Sequence, residues 1–193
     1  YVSKMNWKIA AGSLSEGSFD FMGKSGTRSG ATGLPSALAA SQTFNIQNGV
    51  TGVGQIWEGG IPLDGTFVKS LDLSIDNNLR AQNAIGTLGS VGIGVGDFKP
   101  TGSFEAYFSS GDQYDKFLAD TYTSLTVGTQ DTSGNGYIVT LPRVQLMTAK
   151  VTAGQKNQDV MASFTYEAFS DDANAVAALR KTMFIDRVGV AGV

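Results

Sequence analysis

The chain has no His to act as a general base and no Cys to supply a thiolate or a zinc ligand. Ser-His-Asp and Cys-His constellations are therefore excluded outright. The serines stand in no G-x-S-x-G elbow, and no Ser-x-x-Lys pair has a recognisable catalytic setting. Gly92-Ile93-Gly94-Val95-Gly96 is glycine-rich but matches neither G-x-G-x-x-G nor the phosphate loop with its lysine, and turns or close backbone packing account for it. What remains is carboxylate chemistry. Glycoside hydrolysis needs two acids facing each other across a cleft, and the candidate pairs are Asp72 with Asp76 and Asp20 with Glu105. The same acids alternate with apolar residues, as the wet face of a sheet does, and nothing points to a pocket. Asp171 and Asp172 beside Asn174 miss the D-x-D-x-D-G calcium spacing, and acids gather at helix N-termini in any case. No catalytic residue, cofactor or metal is assigned.

Collectively the acids say more. Asp20, Asp72, Asp76, Glu105 and Glu167 all fall on the polar side of predicted strands. If those strands share a sheet, one face of it is acidic. Two readings stay open at this point: a solvated outer face, and an acidic lining that repels phosphate.

The composition fits a protein that packs against itself. Of 193 residues 41% are hydrophobic and only 16% charged, against about 25% charged in ordinary soluble domains. Much of the surface is thus small, neutral and polar. The net charge of -3 and the pI near 4.8 offer no basic footprint for gripping nucleic acid. The length suits one domain, residues 1–193. Glycine at 25 residues with only 4 prolines reads as many turns between short strands, since apolar residues recur throughout. No apolar run approaches a transmembrane helix, and the residues from Tyr1 show no charged stretch followed by an apolar one. The start at Tyr1 without an initiator Met is expected to mark a fragment or a processed form.

The elements that must position the acids follow from alternation. Residues 2–9 place Met5, Trp7 and Ile9 on one side and Lys4, Asn6 and Lys8 on the other. Residues 16–21 alternate again, with Phe19 and Phe21 inward, so a hairpin is predicted. Residues 66–77 hold the cleanest strand, with Leu71, Leu73 and Ile75 against Asp72, Ser74 and Asp76. Residues 101–108 give another, with Gly102 as a turn or bulge position. Tyr114, Phe117, Leu118, Tyr122 and Leu125 recur at helical spacing and predict one helix over 112–125, with Ser110 and Gln113 as its capping box. Residues 137–151 and 160–169 form the largest hairpin, with Pro142 at an edge or bulge. A short helix over 171–179 and a closing strand over 182–188 complete the reading.

Residues 24–60 are rich in Gly, Ser, Thr and Ala and read as a long extended arm or hairpin, with weak strand signals at 41–47 and 53–57. The fold class is mainly β, an antiparallel sandwich or barrel with one flanking helix and this arm. A short echo links Gly17-Ser18-Phe19, Gly102-Ser103-Phe104 and Ala162-Ser163-Phe164. It reads either as an old duplication or as the chance likeness of amphipathic strands.

The segment Val2-Ser3-Lys4-Met5-Asn6-Trp7 through Gly17-Ser18-Phe19-Asp20-Phe21-Met22-Gly23-Lys24 resembles the "GSFxFMGK" signature of siphophage-type tail tube proteins. Leu71-Asp72-Leu73-Ser74-Ile75-Asp76-Asn77-Asn78-Leu79 resembles the family's "LSLxIxNNL" strand. Gly102-Ser103-Phe104-Glu105-Ala106-Tyr107-Phe108, the helix near Tyr114 and Leu141-Pro142-Arg143-Val144 follow in the family's order. The likeness spans essentially the whole chain and rests on that order. It implies a structural, non-enzymatic subunit of a bacteriophage tail tube, self-assembling into stacked hexameric rings. The lumen would hold DNA and the tape-measure protein, lined by the acidic face. Tail terminator and tail-tip proteins would be further partners, with no membrane, in a virion assembled in the host bacterial cytoplasm. By the same resemblance the arm, with Phe44, Ile46, Val53, Ile56 and Trp57, would pack against neighbouring subunits. The family's pattern has a further N-terminal region ahead of Val2, which this sequence is expected to lack. The alternative from another class is a carbohydrate- or receptor-binding β-sandwich module of a phage fibre or adhesin, which would show exposed aromatics on one face.

Overall fold

A computed structural model describes residues 1–28, 30, 45–63, 67–108 and 111–189. Strand β1 (Val2–Ala10) turns through Gly12 into β2 (Glu16–Phe21), and the two pair antiparallel with Met5 opposite Phe19. Next come β3 (Val53–Glu58), β4 (Ile61–Pro62), β5 (Val68–Asp76), the small pair β6 (Arg80–Asn83) and β7 (Ser90–Gly94), and β8 (Lys99–Tyr107). Helix α1 (Asp112–Leu118) leads to β9 (Thr123–Gln130), β10 (Gly136–Thr152), β11 (Met161–Phe169), a single 3-10 turn at Ala177–Leu179, and β12 (Phe184–Val188). The main sheet runs β2-β1-β5-β8-β11-β10-β9-β3-β4, with β12 also on β10, and β6 and β7 form a separate ribbon.

The long strand β10 makes this one sheet into two layers. Its first half pairs with β9 and β12 and its second half, from Arg143, with β11. Register irregularities fall between Leu141 and Val144 and between Leu146 and Thr148. Pro142 sits in the first of them, where its missing N–H costs no ladder bond, as the sequence predicts. Bent there, the sheet lays its β9 side over its β1-β5-β8-β11 side. Leu71, Leu73, Phe104, Phe164 and Tyr166 from one layer close against Leu125, Val127, Val139 and Leu141 from the other. The end strands β2 and β4 do not pair, so the architecture is sandwich-like and no barrel closes.

Five expectations need correction. The helix ends at Leu118, not at 125, because Asp120 turns left-handed at φ 52° and the next segment alternates Leu125 and Val127 with threonines. Period two and β-branching suit a strand, and the helical spacing of Tyr122 and Leu125 is coincidental. At the other end Gly111 is the N-cap without a side-chain cap, and Ser110 lies outside the described residues. The strand signal at 53–57 is found as β3, but within the arm's span it pairs with β9 inside the sheet. Phe19 and Phe21, expected inward, are 55% and 74% exposed, since β2 is an edge strand that the covering layer does not reach. Finally, only Ala177–Leu179 of the expected helix over 171–179 is helical, and it is 3-10.

Candidate functional site

The five acids do share one face, the side of β2-β1-β5-β8-β11 turned away from the core. Strand register sets them in rows. Asp20 lies opposite Lys4, Lys4 opposite Asp76, and Asp76 opposite Lys99. The Lys99 ammonium then reaches Glu167 at 3.1 Å, and Lys4 holds Asp76 at 2.8 Å. Signs therefore alternate across five strands. In a second row Lys8 stands between Glu16 and Asp72. In a third, Glu105 is bridged by Lys69 at 3.2 Å. The face is a mosaic of acids and lysines rather than a bare acidic sheet. The lysines were legible on the polar side of β1, but only register shows that each meets an acid.

Between the charges runs a neutral polar mesh. The Ser74 hydroxyl donates to Asn6 Oδ1 at 2.8 Å, and the hydroxyls of Thr148 and Thr165 meet at 2.6 Å. The second row and Glu167 of the first line a shallow trough of about 810 Å³ together with Ser103 and Thr165. The Lys4–Asp76 pair of the first row keeps its ionisation. The hydrogen bond from Lys4, followed by the Asn78 backbone N–H, lowers Asp76, and the same bond to Asp76 raises Lys4. Both shifts lead away from neutral pH, so this pair keeps its charges there.

The trough is held from behind. Gly102 faces the core beneath the ring of Tyr166, whose hydroxyl donates to the Asp72 carbonyl at 2.9 Å. A Cβ on Gly102 would come within 2.1 Å of that carbonyl and 2.3 Å of the hydroxyl. Glycine here is a requirement of close approach, not of a turn. Burial, then the Asp72 charge, raises the Tyr166 phenol, so it remains a hydrogen-bond donor.

The residues assigned to the arm separate. Val53 and Ile56 pack against the core of their own subunit, while Ile46 and Trp57 are exposed. Phe44 lies outside the described residues. Residues 45–49 are tied to the β1–β2 turn, with Ser15 N–H donating to Gln47 O at 3.1 Å and Gly49 N–H to Ser13 O at 2.8 Å. Glu58, at the end of β3, accepts from Lys116 of α1 and from Thr123, which docks the helix on the sheet.

Sequence reading missed the free edges. β2 is paired on one side only, and so is β10 beyond Val144 among the described residues. Such edges are templates for another strand.

The sequence profile of the phage tail tube protein family matches residues 1–168. The chain belongs to that family. The match covers all five acids and the trough, and stops at the end of β11, before the 3-10 turn and β12. A tail tube protein is a structural component of the phage tail and assembles as an oligomer there. No curated protein matches the chain at a significant level. Among the described residues no helix is long and apolar enough to cross a membrane.

Proposed function

We propose that this tail tube protein closes into six-membered rings that stack, with the trough face turned to the lumen through which DNA passes. The observation that carries the reading is the paired mosaic. A surface grips DNA by offering lysines and arginines whose counterions the phosphates release. Here Lys4, Lys69 and Lys99 are each bridged by a carboxylate and Lys8 lies between two acids. The lumen would then be polar enough to stay wet and too well neutralised to hold the duplex. The free edges of β2 and β10 give neighbouring copies a way to continue one sheet around the ring. Ring order follows the family resemblance. The tape-measure protein would occupy the lumen before DNA, and tail terminator and tail-tip proteins would close the tube's ends, with assembly in the host bacterial cytoplasm.

Negative-stain electron microscopy with light scattering tests the assembly: hollow rings or tubes support it, and a monomer at high concentration overturns it. Charge reversal tests the lining. Asp72→Lys with Glu105→Lys leaves two strand positions intact but releases lysines to the lumen. Tubes should form and DNA ejection should slow; unaltered ejection would remove the trough from the lumen.

A further inference from the structure

We propose that the β6–β7 ribbon is a peg that joins copies along the tube axis, its apolar tip, Ile85 and Leu88, seated on the far strand-end of a second copy around Phe67, Tyr107, Phe108 and Val160. The inference rests on the tube reading and names the contact between its rings. Both tip side chains are fully exposed. The ribbon belongs to neither layer of the sheet, and a two-stranded ribbon is marginal alone in water. It is nevertheless fixed in place: Ser90 N–H donates to Lys24 O at 3.0 Å, and the Asn78 side chain donates to Asp97 O at 2.7 Å. Two apolar side chains are thus held out in solvent by polar bonds at the base.

The receiving surface lies at the other end of the same strands. Tyr107 N–H donates to Phe67 O and Phe108 N–H to Val160 O, both at 3.0 Å, which brings four residues with exposed apolar side chains to one strand-end. β8 separates this patch from the peg, and at about 3.3 Å per residue its length is roughly 30 Å. No chain can seat its own peg. Charge favours the same partner. Lys24 and Arg80 accompany the peg with one acid, Asp97, whereas α1 and the β10–β11 loop beside the patch carry Asp112, Asp115 and Asp159 against Lys116 and Lys156. A basic apolar end facing an acidic apolar end is a head-to-tail contact, and such contacts propagate without closing.

The chain has no Cys, so introduced thiols report without background. Leu88→Cys with Phe108→Cys in one chain should give, under mild oxidation, a reducible ladder of dimers, trimers and longer multimers. Each single variant can reach no more than a dimer and should stay monomeric on a denaturing gel. Absence of the ladder from assembled tubes overturns the peg, and so does a dimer from Leu88→Cys alone, which would mean that pegs meet each other. Ile85→Ser with Leu88→Ser should leave rings that fail to stack, and tubes of ordinary length would overturn the contact. If the unsubstituted chain formed no tubes, the tube reading would fail by itself, and the ladder would still decide the peg.

Discussion

The two sides of the β1-β5-β8-β11 layer are built to different tolerances. On the inner side Phe104 stacks on Phe164 at 4.9 Å between ring centres, and Tyr166 fills the space that a side chain on Gly102 would need. On the outer side, lysines and carboxylates meet across partly exposed pairs with open solvent beyond. Interiors are packed like crystals, so one added carbon is felt there. Exposed pairs are screened and replaceable. A tube subunit gains from that division, because its shape is set on one side while the other can be tuned to what passes it.

The sharpest way to break the comparison is Gly102→Ala. The new methyl meets backbone and a buried ring rather than a flexible side chain, so the cost should be at least about 3 kcal/mol, at the upper end of overpacking effects. Gly128→Ala is the control, since Gly128 lies in β9 with its nearest atom 3.9 Å away. Thermal melts should show a large drop for the first and almost none for the second. Equal drops would mean that Gly102 matters only as a flexible residue in a strand.

Tyr166→Phe is milder and tests one bond. The ring stays, and the hydroxyl that reaches the Asp72 carbonyl is lost. A buried neutral hydrogen bond of this kind is worth about 1 kcal/mol, and denaturant melts should show that loss with an unchanged slope. A loss several times larger would mean that the hydroxyl, not the ring, sets the approach of β5 to β8.

Legibility in the sequence divides along the same line. Alternation in β5 and in the β10–β11 hairpin could be read directly, because each inward position there is covered by the second layer. β2 alternates as clearly, yet its phenylalanines lie exposed, because alternation shows two sides without showing which side is covered. The strand signal at 53–57 is legible and matches β3, but its glycine-rich approach gives no sign of the partner strand, which lies about seventy residues on. The ribbon β6–β7 is held by backbone pairing and polar bonds such as Ser90 Oγ to Asn83 Oδ1 at 3.1 Å, so hydrophobic periodicity could not find it. The acids' common face was legible from spacing within strands. That Lys4, Lys8, Lys69 and Lys99 each meet an acid is a property of register between strands, which no single segment carries.

The smallest effect is expected on the outer side, and pH isolates it. The folded-state pKa of Asp76 lies below its ordinary value of 3.8, chiefly through the hydrogen bond from Lys4. A depressed carboxylate contributes stability above its unfolded pKa and loses it as pH falls through the folded value. Lys4 is raised above 10.5, so its share is present below that value and fades only as pH climbs past the folded one. Near neutral pH the bridge is therefore fully formed from both sides. Asp76→Asn should melt slightly below the parent protein at neutral pH. The gap should close below pH 3.8 as the parent's carboxylate protonates, and should shrink in high salt at neutral pH. A gap that survives both acid and salt would place Asp76 with the inner side, as a packing residue, and would erase the difference between the two faces at that row.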